Sequence, residues 1–211
     1  MARCNCAKIV MTRSFSVIQK ACGWTHIYQK MISLYGIDKT TILFNNAFEL
    51  QKEFQLRYQK ARGINKGHIN AAVAVASLYL PLSQLLGKDK AVEEIARVMK
   101  PASVAKHNKI QRLPPKVFIK VAGFITGKVF GEKAGFKRNW HNNTNQEKRY
   151  DLLTCPYVQV FNDLGCPEVC PAVCIQDDIS FGNMKNGVIF ERHGTLGRGD
   201  KCCDFWFRIG K

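Results

Sequence analysis

The chain has 211 residues, 46% of them hydrophobic and 23% charged, so it is long and apolar enough to bury a core. It contains no low-complexity segment and no repeat of fixed period, which excludes repeat architectures. The formal net charge is +16, but the cations are spread along the chain and no DNA- or RNA-binding motif is present. We therefore expect no nucleic-acid partner and a solvated basic surface, with attraction for an anionic substrate or a polyanion as the alternative.

The nine cysteines argue against a secreted disulfide scaffold. An odd number cannot pair fully within one chain, and such scaffolds are usually shorter and follow a signal peptide. Residues 1–20 are basic and lack an apolar stretch long enough for export, although their lack of acids leaves a transit peptide as an alternative. We expect a cytoplasmic protein with reduced thiols, of which Cys4, Cys6 and Cys22 are inert apolar side chains.

Residues 1–140 are predicted to be mainly helical. Apolar residues recur at gaps of three and four over 40–61, and Gly63 and Gly67 follow as helix stops. The other predicted elements of this part are a helix over 69–86 closed by Gly87, a helix over 89–100 stopped by Pro101, a helix over 117–130 and a polar loop over 137–149.

Two of these segments are apolar but unsuited to spanning a bilayer. Pro81 interrupts the stretch 69–86, and the stretch 117–130 is too short and contains Lys120 and Lys128. Both are predicted to be buried core helices, and we expect no membrane partner.

After residue 140 the apolar pattern changes. Residues 148–155 are predicted as a strand and 156–165 as a helix with Pro156 in its first turn. A second short helix is predicted over 167–181, and the alternating segments 187–196 and 201–209 are predicted as strands joined by a Gly-rich turn. The predicted fold class is α+β: N-terminal helices pack on a small C-terminal antiparallel sheet with short helices. Residues 1–140 form the helical part and 141–211 the Cys-rich part of one globular domain.

The Cys-rich part places thiols and carboxylates at regular spacings. Cys166, Cys170 and Cys174 lie four residues apart, so on one helix they share a face. Asp177 follows Cys174 by three residues, which brings a carboxylate to the side of that thiol.

The last predicted strand separates its residues between two faces. Cys203 alternates in phase with Phe205 and Phe207, which are expected to face the core. Asp204 and Cys202 then point to the opposite face, so Asp204 faces away from Cys203.

These motifs, in the order "TCPYVQVFNDLG", "CIQD", "FERHGTLGRGD" and "CCDFWF", resemble the C-terminal pattern of the L-2-amino-thiazoline-4-carboxylic acid hydrolase family. The resemblance covers residues 147–209, and residues 78–99 are similar to the helical part of the family. It implies a hydrolase that opens a cyclic amidine-type ring, such as the thiazoline ring of an amino acid, to give a carbamoyl-cysteine. The matching positions are Cys155, Cys174, Asp177, Gly199, Cys203 and Asp204, whereas Cys166, Cys170 and Cys202 lie outside the pattern.

The resemblance and the chemistry of the side chains together suggest roles. We expect Cys174 to be the nucleophile, Asp177 to be an acid/base group or an anchor for the substrate amidinium, and Cys203 to be a second thiol in the pocket. His193 or Arg192 would favour the thiolate, and Arg192 or Arg198 would clamp a substrate carboxylate. The predicted catalytic residues are Cys174, Asp177, Cys203 and His193, and the predicted substrate-binding residues are Cys155, Arg192, Arg198 and Asp204. The expected partner is a small molecule carrying a carboxylate, with no cofactor and no metal.

Two alternatives stay open at this point. Cys166, Cys170, Cys174 and either Cys202 or Cys203 would supply four thiolates for zinc or an iron–sulfur cluster, although gaps of three residues between them are unfavourable. The chain would otherwise be a redox-sensing binding protein that kept the fold without the activity.

Overall fold

The computed structural model describes residues 24–210, so the predictions for Cys4, Cys6, Cys22 and the first 20 residues lie outside the described part. Seven α-helices and four strands are present in that part, with most helices preceding the sheet, which confirms the predicted α+β class. Their bounds are α1 Trp24–Tyr35, α2 Ile37–Arg57, α3 Gly63–Leu86, α4 Lys88–Ile110, α5 Pro115–Val129, β1 Arg138–Asn143, β2 Glu147–Leu152, α6 Pro156–Asp163, α7 Cys170–Phe181, β3 Val188–Glu191 and β4 Cys203–Ile209.

The four strands form one antiparallel sheet in the order β1-β2-β4-β3. Strand β4 therefore lies between β2 and β3, with Cys203 opposite Leu152 and Phe205 opposite Tyr150. Burial alternates along β4, and Cys203, Phe205 and Phe207 are the buried residues. The predicted division of this strand into a core face and an outer face is confirmed.

Helix α3 forms the centre of the helical core. Its side chains Leu78, Tyr79 and Leu82 are at most 1% exposed, because α2, α4 and α6 all pack around it. By length and composition α3 is the one helix in residues 24–210 that could cross a membrane, and more than half of its most apolar window is buried inside the molecule. A core helix meets the same criteria.

A second core lies between α5 and the sheet. Phe118 and Ile119 of α5 are buried there, and the Phe118 ring lies 5.7 Å from the ring of Phe207. Helix α4 links the two cores because it packs along α7.

The prediction that Pro101 stops a helix is wrong. Helix α4 continues through Pro101 to Ile110. Contacts beyond the proline hold its last turns against α7: the Ser103 hydroxyl donates to Gln176 Oε1 at 2.8 Å, and His107 Nδ1 lies 3.2 Å from the Ser180 carbonyl oxygen. Tertiary packing here offsets the missing backbone donor of proline. Gly67 likewise lies inside α3, and Gly63 begins that helix rather than ending the previous one.

The predicted polar loop over 137–149 is also wrong, because this segment contains β1 and the start of β2. Strand β1 is an edge strand, and only Arg138 and Trp140 within it are partly buried. Its polar composition therefore reflects exposure on most of its surface, which hides the alternation typical of a half-buried strand.

The helix predicted over 167–181 starts later than expected. A short 3₁₀ turn, Pro167–Val169, precedes α7, which begins at Cys170. Cys166 therefore lies outside α7 and is fully buried in the helical core. The prediction that these cysteines share one helix face is confirmed for Cys170 and Cys174 and is wrong for Cys166.

Candidate active site

Helix α7 presents three reactive side chains along one face. Cys170, Cys174 and Asp177 occupy positions i, i+4 and i+7 of this helix, so each lies about one turn from the next. Pro171 stands in the first turn, where a missing backbone donor is tolerated. The thiols and the carboxylate are thus held on a regular helix rather than on a loop.

Arg192 directly follows β3, and its guanidinium binds this face of α7. Its side chain is 2% exposed, and Nη2 donates to the Cys174 carbonyl oxygen at 2.8 Å. Nη2 also lies 2.8 Å from Asp178 Oδ1, and Nη1 lies 3.3 Å from Asp177 Oδ2. The hydrogen bonds of Arg192 are therefore directed at α7, so its charge acts on the thiol and carboxylates there.

The Cys174 thiol is the most acidic of the described cysteines. A hydrogen bond donated by the Cys170 thiol, the charge of Arg192 and the nearby Thr195 hydroxyl together lower the pKa of Cys174 to about 7, against opposing effects of burial and of Asp177. The same hydrogen bond, with burial, raises the pKa of Cys170, so that residue remains a protonated donor. A thiol with a lowered pKa carries more thiolate at neutral pH than an ordinary cysteine does.

The loop between β3 and β4 covers the two thiols of α7. A Cβ atom placed on Gly197 would lie 2.6 Å from Cys174 Sγ and 2.8 Å from Cys170 Sγ. Asp200 holds this loop, because the Thr195 backbone N–H donates to Asp200 Oδ2 at 2.7 Å. The Thr195 hydroxyl is buried and makes no hydrogen bond of normal geometry within the described residues, so its effect on Cys174 is that of a weak donor.

Cys155 and Cys203 complete the thiol cluster. Burial raises the pKa of Cys155 to about 11 and that of Cys203 to about 12. Each of these thiols is also close enough to Cys174 for a negative charge on Cys174 to raise its pKa. The Leu196 backbone N–H donates to Cys203 Sγ at 3.2 Å. The fold thus brings Cys155, Cys174, Asp177 and Cys203 together, and Cys174 is the one of these three thiols whose pKa is lowered.

Asp177, one helical turn after Cys174, lines a cavity of about 120 Å³ between α4, α5, α7 and the sheet, and none of the thiols is among its lining residues. Burial raises the pKa of this carboxyl, while Arg192 and Lys106 lower it. Its side chain is 35% accessible and lines this cavity. The other lining residues are mostly apolar and are Lys106, Ile110, Leu113, Phe118, Val121, Ala122, Ile125, Thr126, Phe130, Tyr150, Phe181, Phe205 and Phe207.

Among residues 24–210, Lys106 is the one cation that lines the cavity. The residue is exposed overall, but its Nζ lies 4.2 Å from the centre of the Phe181 ring, and burial lowers the pKa of the ammonium group. The negative charge of Asp177 raises the pKa of this ammonium group. The cavity therefore carries a carboxylate and an ammonium group on otherwise apolar walls.

His193 and Asp204 lie together on the outer face of the sheet. The His193 side chain is 81% exposed, and its Nδ1 lies 3.2 Å from Asp204 Oδ2. Asp204 Oδ1 accepts the backbone N–H groups of His193 and Gly194 at 3.0 and 2.6 Å. This pair anchors the loop between β3 and β4 and stands on the face opposite Cys203.

Arg198, in the same loop, is about half exposed, and its Nη2 lies 3.7 Å from Asp178 Oδ2.

The sequence-based interpretation missed four contributors, namely Cys170, Thr195, Gly197 and Lys106. The spacing of Cys170 from Cys174 was a usable signal, since one helical turn separates them. Lys106 was hidden because the helix was predicted to end at Pro101; extending the apolar face of α4 past that proline would have placed Lys106 near α7. Thr195 and Gly197 left no local signal, because a loop from a distant strand brings them to the thiols.

The described residues contain no group of three or more His, Cys, Asp or Glu side chains arranged to hold a metal ion. The four-thiolate alternative required Cys166, which lies in the helical core and whose pKa burial raises to about 12. Cys170 and Cys174 are hydrogen-bonded to one another instead.

Comparison with known proteins assigns the chain to a class of hydrolases. A sequence model of the L-2-amino-thiazoline-4-carboxylic acid hydrolase family matches residues 67–207, about two thirds of the chain. The chain therefore belongs to this family, as the order of its motifs predicted. No curated protein matches the chain at a significant level.

Proposed function

We propose that this protein hydrolyses a small cyclic amidine or thiazoline, with Cys174 as the nucleophile. One observation supports this most strongly: a thiol of lowered pKa lies one helical turn from Asp177, whose carboxylate faces an apolar cavity. Family membership supports hydrolysis of a small molecule. A thiolate at neutral pH is the reactive form needed to attack an electrophilic carbon.

In the proposed reaction the Cys174 thiolate adds to the ring carbon that carries the exocyclic amino group. The tetrahedral carbon then breaks its bond to the ring sulfur, which leaves as a thiolate and takes up a proton. This opens the ring and leaves an isothiourea joined to Cys174. A water molecule adds to the same carbon, and the Cys174 thiolate departs. One water is consumed, and the product is a carbamoyl-cysteine when the substrate is an aminothiazoline carboxylate.

Asp177 and Lys106 are suited to hold the two charged ends of such a substrate. A protonated amidine presents two N–H donors, which a carboxylate accepts as a paired contact. We assign this role to Asp177, and the buried position of its carboxyl strengthens the interaction. Lys106 would accommodate a substrate carboxylate, since the guanidinium of Arg192 is already bonded to α7. Cys203 and Cys155 would border the site as neutral thiols.

The test compares two Cys→Ser variants on a panel of aminothiazolines and cyclic amidines with and without a carboxylate. Turnover is detected by mass spectrometry as the addition of one water to the substrate. We expect Cys174→Ser to lower kcat at least 10³-fold (~4 kcal/mol in the barrier), whereas Cys202→Ser, on the outer face, retains activity. Wild-type turnover that survives in Cys174→Ser would remove Cys174 from the nucleophile role. A covalent adduct found on Cys174 but not on Cys203 would support the assignment further.

A further inference from the structure

One continuous part of the chain is free of acidic residues. No Asp or Glu occurs between Glu94 and Glu132, while this segment contains eight Lys and Arg residues. It comprises most of α4, the following turn and all of α5. This segment therefore carries half of the formal net charge of +16.

The outer face of α5 combines these cations with exposed apolar side chains. At 3.6 residues per turn, all its exposed large residues fall within about half of the helix circumference. The four apolar ones are between 39% and 62% exposed, and the Lys128 Nζ lies 4.5 Å from the centre of the Phe124 ring. We call this set the α5 face; it consists of Lys116, Val117, Lys120, Val121, Phe124, Ile125 and Lys128.

The neighbouring end of α4 extends the same surface. Lys100, Lys109 and Arg112 are exposed there, and Val104 is a further exposed apolar residue. Other residues of α5, Phe118, Ile119 and Thr126, face inward to the core and the cavity. Helix α5 already buries an inner face, and the exposed portions of its outer apolar residues are not covered by any other described part of the molecule.

We propose that the α5 face docks on an anionic lipid bilayer. A helix with apolar residues between lysines, and with no acids, has the composition of an interfacial helix that lies in the plane of a membrane. The complementary charge is that of anionic headgroups, which attract clusters of Lys and Arg. A single-stranded nucleic acid is favoured less, because binding there relies on several stacked aromatic rings and the α5 face offers only Phe124.

This proposal departs from the expectation that the protein has no membrane partner. That expectation rested on the lack of a spanning segment, and peripheral docking needs none. The proposal is independent of the ring-opening reaction, although Val121 and Ile125 belong both to the α5 face and to the cavity wall. A docked α5 would bring the cavity close to the bilayer surface.

The size of the effect follows from the charges. Each cation near an anionic membrane surface strengthens binding about fivefold, so replacing Lys116, Lys120 and Lys128 by Gln should weaken it roughly 100-fold. Burial of a phenyl side chain contributes about tenfold or more, so Phe124→Ser should weaken binding by about that factor. Salt should also weaken it, because the Debye length falls from about 10 Å at 0.1 M to about 3 Å at 1 M.

The experiment is co-sedimentation of the full chain with vesicles of phosphatidylcholine alone and with vesicles in which about a third of the lipid is phosphatidylserine. The charge control replaces Lys39, Lys60 and Lys66, all exposed on or beside α2 and α3, by Gln, which changes the net charge equally. The apolar control is Leu56→Ser, since Leu56 is 66% exposed on α2. Circular dichroism and Tm confirm that each variant is folded.

Binding to anionic vesicles that is lost in the α5-face variants and kept in both controls supports the proposal. Equal losses in the α5-face and control triple variants would overturn it, because net charge alone would then explain binding. No binding of wild type to anionic vesicles at about 0.1 M salt would also overturn it. The proposal would also be overturned if a single-stranded RNA bound through Lys116, Lys120 and Lys128 while vesicles did not bind.

Discussion

The Sγ atom of Cys174 lies 2.6 Å from the position that a Cβ atom on Gly197 would occupy. This contact means that the covering loop and the reactive thiol are packed too closely for any larger residue. The clash is relieved either by a shift of the loop or by rotation of the cysteine side chains about χ1, and both changes alter the surroundings of the Cys174 sulfur.

Gly197→Ala should therefore disturb the site more than the fold. We expect kcat/KM to fall about tenfold or more and the free energy of unfolding to fall by about 1–3 kcal/mol, the usual range for overpacking. Gly67→Ala is the matched control, since nothing lies within 4 Å of its Cβ position inside α3; helix propensity there should raise stability slightly. Unchanged kinetics in Gly197→Ala would show that the loop adapts freely.

Cys170→Ala should raise the pKa of the Cys174 thiol, because it removes the hydrogen bond that contributes most to lowering it. The measurement is the rate of Cys174 alkylation by iodoacetamide against pH, read by peptide mass spectrometry. The midpoint should move from about 7 toward the alkaline side, and the acid limb of the pH–rate profile should move with it. Cys202→Ser should leave the midpoint unchanged, and a midpoint unchanged in Cys170→Ala contradicts the assigned donor.

Arg192→Met should be destabilising, since it removes the buried guanidinium that pairs with Asp177 and Asp178. We expect a loss of about 2 kcal/mol in the free energy of unfolding, measured with urea, a value reduced because both carboxylates are partly exposed. The pKa of the Asp177 carboxyl should rise further. The comparison variant is Arg208→Met, which breaks a partly exposed pair with Glu191 and should cost under about 1 kcal/mol. Similar losses in the two variants would contradict the anchoring role of Arg192.

Asp204→Asn should produce a stability difference that depends on pH. Burial alone would raise the pKa of this carboxyl, but the hydrogen bonds from Gly194 and His193 outweigh it and lower the pKa in the folded protein. A lowered folded pKa stabilises the protein above the ordinary value of 3.8, and this contribution disappears as pH falls through the folded pKa.

Urea unfolding of wild type and Asp204→Asn at about pH 7 and about pH 3 measures this contribution. The difference should be about 1 kcal/mol at the higher pH, a value reduced for the partial exposure of the carboxylate, and should shrink at the lower pH. A difference that grows on acidification has the wrong sign and would contradict the assignment.

Ala122→Phe should fill the cavity without touching the thiols. Ala122 lines the cavity on α5, so a phenyl ring there would occupy the space next to Asp177. We expect KM to rise at least tenfold while the alkylation midpoint of Cys174 stays the same. Val117→Phe, on the exposed side of the same helix, is the control for an added ring. Unchanged KM in Ala122→Phe would indicate that substrate does not enter this cavity.

Local patterns in the sequence predicted more of the fold than of the site. The alternation over 201–209 placed Cys203 inward, and the spacing of Cys174 and Asp177 placed both on one helix face, because period and burial are local properties. The family was predicted from the order of motifs. The edge strand β1 was not, since its polar, exposed residues lack the alternation of a half-buried strand.

The site itself depends on contacts between segments far apart in the chain. Lys106 comes to Asp177 only because α4 continues past Pro101, and Gly197 comes to Cys174 only because β3 and β4 pair. Such contacts depend on tertiary packing, which neither spacing nor composition encodes.

Strand β4 follows the other three strands in the sequence and yet inserts between β2 and β3. During synthesis, residues 203–209 therefore have to emerge before the sheet can close, while the helical core around α3 can assemble earlier. Pairings between such distant segments form slowly. The Cys174 thiol would gain its covering loop only at this final step, after the helices that carry it have folded.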